Sequence, residues 1–94
     1  MTEGEDYKEI IAEFIQGQMT IFGPTVAHDI AIRINGLVVD DYGKVKEFAG
    51  SPKEILQSLE QKYTELAGEV VHRNLLVILH DHPLVEAGYL NTRV

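Results

Sequence analysis

The chain has 94 residues, a formal charge of −7, 45% hydrophobic and 24% charged residues, and no cysteine. That length supports one small domain (1–94) rather than two independent ones, and this balance of residues belongs to a folded chain, not a disordered one. Disulfides, thiol catalysis and thiolate metal sites are excluded, and the eight Lys and Arg are scattered without a cluster, which disfavours nucleic-acid binding.

The opening, MTEGEDYKEI, is acidic and lacks the basic and apolar regions of a signal peptide. Its acidic residues are followed by a stripe at helical spacing: Tyr7, Ile10, Ile11, Phe14, Ile15, Met19, Phe22. Asp6 with Glu9 reads as the cap pair of this first helix. Gly23-Pro24 must break or kink it, because proline cannot donate to the preceding turn and crowds it. A second helical stretch is expected over 24–34, ended by Asn35-Gly36. Two short β-prone runs, Leu37–Val39 and Val45–Phe48, flank the turn sequence Asp-Asp-Tyr-Gly-Lys and predict a β-hairpin at 37–48.

Gly50 then marks a turn before SPKEIL, where Ser51 and Glu54 form a capping box and Pro52 takes the first helical position. The stripe Ile55, Leu56, Leu59, Tyr63, Leu66, Val70 continues this helix toward Gly68, where only a bend is expected because no proline follows. A further stretch over 69–81 carries the longest apolar run, Leu75–Leu79, which suits a helix or a buried strand and is too short to cross a bilayer. Pro83 is read as the end of this helix, leaving 83–94 as a tail with Leu84, Val85, Tyr89 and Leu90 free to dock.

Offset by 45 residues, 6–34 falls on 51–79 without a gap. Lys8, Glu9, Ile10, Gln16, Gly23 and Val26 meet Lys53, Glu54, Ile55, Gln61, Gly68 and Val71 as identities. Amphipathic helices match one another by chance at apolar positions, but shared polar residues and a shared glycine point toward an internal duplication. The expected fold is α+β, mostly α: two helix–Gly–helix units, 6–34 and 51–81, flanking the central hairpin.

Candidate chemistry is sparse. His80, Asp81 and His82 lie together and His72 precedes them by about two turns, a set zinc or nickel would accept, with His28 or a remote carboxylate to complete it. Histidines at a helix end also have a plain electrostatic cause in the helix dipole, and no metal site is favoured. A pocket between the two units would be lined by Phe14, Met19, Phe22, Tyr63 and His72. Asp40 and Asp41 read as turn residues, and the final Thr-Arg-Val as a weak match to a C-terminal peptide ligand. No nucleophile stands with a base and an orienting acid, so no catalytic residue and no cofactor are expected. The expected function is a non-enzymatic protein-interaction or regulatory module, a cytoplasmic homodimer with no nucleic-acid or membrane partner. A small-ligand or metal sensor is the alternative.

Overall fold

The computed structural model describes residues 3–91. Its elements are α1 (Glu3–Phe22), α2 (Pro24–Ile32), β1 (Leu37–Val39), β2 (Val45–Phe48), α3 (Pro52–Ala67), α4 (Glu69–His80) and α5 (Pro83–Asn91). The architecture is therefore mostly helical, with one two-stranded antiparallel sheet.

Helix α3 starts as its residues dictate. Ser51 is extended, its hydroxyl accepts from the Glu54 N–H at 3.4 Å, and Pro52 opens the helix. Helix α1 does not start at Asp6, which lies inside it. A carboxylate is favoured throughout the first turn by the helix dipole as well as at the cap, so its residue type does not fix the cap position.

Both glycine junctions end a helix. Gly23 has φ +92° with Pro24 opening α2, and Gly68 has φ +68°, its N–H bonded to the Thr64 carbonyl. The bend expected at Gly68 is a full break, since a left-handed residue cannot continue a right-handed helix. Leu75–Leu79 is helical within α4. Residues 83–91, read as a tail, form α5: Pro83 ends nothing but supplies the first residue of a new helix.

The hairpin pairs Leu37 with Phe48, Val38 with Glu47 and Val39 with Val45, with a bulge that skips Lys46. Asp40 organises its turn: the carboxylate accepts from the Tyr42 and Lys44 N–H groups, each at 2.9 Å. The Lys44 N–H, then the Tyr42 N–H and the Lys46 and Lys44 charges, hold its carboxyl below the usual range. The hairpin tip rests on α1, with Gly43 against Ile15, Gln16 and Met19.

The core runs through all five helices. Ile10, Ile11, Phe14 and Ile15 of α1 meet Leu56, Leu59 and Tyr63 of α3, Val71, Leu75 and Leu79 of α4, and Val85 and Tyr89 of α5. The stripes seen in the sequence are its source, except that Leu66 and Val70 stay exposed where Gly68 turns the chain away. No described helix is long and apolar enough to cross a membrane.

Candidate functional site

Of the residues expected to line a pocket, Phe14 and Tyr63 lie in the core and Phe22 packs against it. Phe14 meets Tyr63 edge-on with ring centroids 5.6 Å apart, and Phe22 stacks on Tyr63 at 6.0 Å. The Tyr63 hydroxyl donates to the Ala27 carbonyl at 2.7 Å, joining α3 to α2. Burial alone pushes this phenol well above its ordinary range, because the phenolate would lose its water. Met19 is partly buried against the same cluster. Of the five residues, only His72 borders a groove between α3 and α4.

That groove, about 850 Å³, lies between α3 and α4 and is lined by Gln57, Glu60, Gln61, Thr64, Glu65, Gly68, Glu69 and His72. Its wall carries three glutamates and no Lys or Arg, so it offers a cationic group better complementarity than an anion. Beneath it is a polar network that spans three helices. Glu60 is only 6% exposed. One of its oxygens accepts from the Tyr89 hydroxyl at 2.9 Å, and the other lies 2.8 Å from His72 Nδ1, whose N–H donates to it. The carboxylate thereby fixes the tautomer and plane of the imidazole, and ties α4 and α5 to α3.

Glu60 escaped the sequence reading, in which Tyr89 is only an apolar tail residue free to dock, although a signal existed. Glu60 sits four residues after Leu56 and three before Tyr63, squarely in the apolar stripe. Gln18 is a second such residue, four after Phe14 and fully buried. Its Nε2 donates to Asn74 Oδ1 at 2.8 Å, while its own Oε1 is buried with no hydrogen-bond partner. Gly17 makes room for this pair, since a Cβ there would come within 2.6 Å of the Asn74 oxygen.

The histidines grouped by the sequence part company. His72 is held by Glu60 and His80 is exposed 3.9 Å from Glu86. Asp81 is exposed at the C-terminal cap of α4. His82, at the corner between α4 and α5, turns instead toward α1. Its Nδ1 lies 3.7 Å from Asp6 Oδ1 and its Nε2 3.9 Å from Glu13 Oε1. Asp6, Glu9 and His82 bring one potential metal-binding atom each to within 4.8 Å of one another. His28 is remote from all of these: its Nε2 is buried without a hydrogen bond, 3.9 Å from Asp41. The terminal Thr-Arg-Val lies outside the described residues.

No protein-family model matches the chain, and neither a curated protein nor a solved structure shows significant similarity to it.

Proposed function

We propose that the chain is a non-enzymatic interaction or regulatory module that assembles as a homodimer through the outer face of α4. The observation that carries this reading is where the exposed apolar side chains stand. Val70 and Val77 are 47% and 68% exposed, and seven residues apart they share one helix face. Leu66, at the end of α3 before the Gly68 junction, is also exposed. Helix α1 runs antiparallel to α4, with Gly17 and Gln18 against Asn74. Ile21, near the end of α1, is exposed as well.

A small monomer gains nothing from an apolar outer face, whereas a face of this kind suits a partner. A second copy of the chain is the occupant the charges favour. The only charged side chains on the stretch of α4 between Glu69 and Val77 are Glu69 and Arg73, which pair with each other at 3.1 Å. The face is thus locally neutral on a protein whose net charge of −7 opposes self-association elsewhere. A stable dimer would cover about 800 Å² on each subunit, roughly one seventh of the 5617 Å² surface.

Sedimentation equilibrium of the untagged chain tests the reading. Wild type should be dimeric at about 10–100 µM, a range in which a micromolar interface is filled. Val77→Glu should be monomeric with an unchanged far-ultraviolet circular dichroism spectrum, because the side chain it replaces lies outside the core. A wild-type monomer throughout that range, or a Val77→Glu variant that still dimerises, would discard this interface.

A further inference from the structure

We infer that the corner between α4 and α5 and the first turns of α1 form a binding site for one divalent transition-metal ion, with Asp6, Glu9 and His82 as ligands. The donor set is two carboxylate oxygens and one imidazole nitrogen, which leaves a fourth position for water or a ligand atom. Zinc takes such three-residue sets in tetrahedral geometry with one open position, and an imidazole among oxygens argues against calcium or magnesium.

Three features separate this group from an ordinary acidic surface. The first is the state of His82. Its side chain is 13% exposed, yet both ring nitrogens sit beyond hydrogen-bond length from the carboxylates they face, at 3.7 and 3.9 Å. Ligand atoms around a tetrahedral zinc stand roughly 3.3–3.5 Å apart for bonds of about 2.0–2.1 Å. The His82 Nδ1–Asp6 distance is close to that spacing, and the exposed Glu9 carboxylate has the freedom to close the remainder.

The second is the carboxylate on the far side of the ring. Glu13 Oε1 faces Nε2, so the imidazole stands between a ligand carboxylate at one nitrogen and an outer carboxylate at the other. Metal-bound histidines commonly donate their second N–H to such a partner, which sets the tautomer and the ring plane. Glu13 accordingly acts as a positioning residue and not as a ligand.

The third is the backbone that presents the site. Asp6, Glu9 and Glu13 fall on one strip of α1 by helical spacing, where like charges repel one another unless a cation intervenes. His82 is fixed from both directions: its N–H donates to the Leu79 carbonyl at 2.9 Å and its carbonyl accepts from the Glu86 N–H at 2.9 Å. Pro83 then sets the direction of the chain into α5. The ligands are therefore held on α1 and on the hydrogen-bonded corner between α4 and α5, and an ion between them would clamp the two together.

Isothermal titration of chelator-treated, untagged protein with zinc chloride tests the assignment. Wild type should bind one equivalent in the micromolar range or tighter, and its thermal midpoint should rise when zinc is present. His82→Ala should lose binding, while Asp6→Asn and Glu9→Gln, which keep side-chain shape on a helix surface, should each weaken it at least tenfold. Glu13→Gln should weaken it less. His72→Ala and His80→Ala should bind as wild type does. No zinc heat and no thermal shift at millimolar zinc would overturn the assignment. So would binding that survives both Asp6→Asn and His82→Ala, or that disappears with His80→Ala.

Discussion

Tyr63 lies where α1, α2 and α3 meet, and replacing it by Phe removes one hydroxyl while keeping the ring. The side chain is fully buried, and the bond it gives to the Ala27 carbonyl is short, at 2.7 Å. A buried hydrogen bond of this kind contributes about 1 kcal/mol net, and Ala27, a mid-helix carbonyl, still accepts from its own helix. Tyr63→Phe should therefore cost about 1 kcal/mol near pH 8 in urea unfolding followed by circular dichroism. The pH dependence is more diagnostic. An unfolded tyrosine ionises near pH 10, and burial holds the folded phenol well above that. Below pH 10 both states keep the proton, so the full contribution of Tyr63 is present. Above it the unfolded chain loses its proton first, and stability falls by up to about 1.4 kcal/mol per pH unit. The other tyrosines cancel between the two proteins. The wild-type advantage of about 1 kcal/mol should thus vanish near pH 10.5 and reverse by about pH 11. Parallel stability curves through that range would refute the account of a buried, neutral donor.

Ser51→Ala should lose about 1 kcal/mol of stability through the missing cap of α3, read as a lower urea midpoint at constant slope; an unchanged midpoint would move the start of that helix. Gly23 and Gly36 separate backbone strain from crowding. Both have positive φ, +92° and +85°, but a Cβ at Gly23 meets nothing while one at Gly36 would lie 2.5 Å from the Ala49 carbonyl oxygen. Gly23→Ala should cost about 1–2 kcal/mol of strain alone, and Gly36→Ala clearly more because the two ends of the hairpin must part. Equal losses in paired urea titrations would argue against the close approach at Gly36.

Local chemistry made much of this fold legible. A serine followed by proline and, two residues later, glutamate has few uses other than a helix start, and an aspartate-rich turn with glycine between β-prone runs has few uses other than a hairpin. The misreadings came from residues with two meanings. Proline stops one helix and opens another, so Pro83 concealed α5. Asp6 is at home both at a cap and in a first turn, so it concealed that α1 already includes Glu3. Glycine at 68 permits a bend or a break, and the choice depends on whether φ turns positive, which only the packing of α3 on α4 decides.

The polar groups were harder to read for a different reason. Periodicity tells which face of a helix is buried but not which helix covers it. Glu60 looks like a solvated glutamate until α5 brings the Tyr89 hydroxyl over it and α4 brings His72. The same holds for the histidines. His80 and His82 are two residues apart, and along a helix that would set them well round its axis from each other. The chain also leaves α4 at Asp81, so His82 is carried by the corner and not by the helix face. Its neighbours are then chosen by the antiparallel docking of α1, which places Asp6, Glu9 and Glu13 opposite the end of α4. Proximity in HDHP thus reflects the local path of the chain, while the grouping that can bind a cation comes from segments more than seventy residues apart. The acidic first helix thereby faces a specific counterpart in one imidazole.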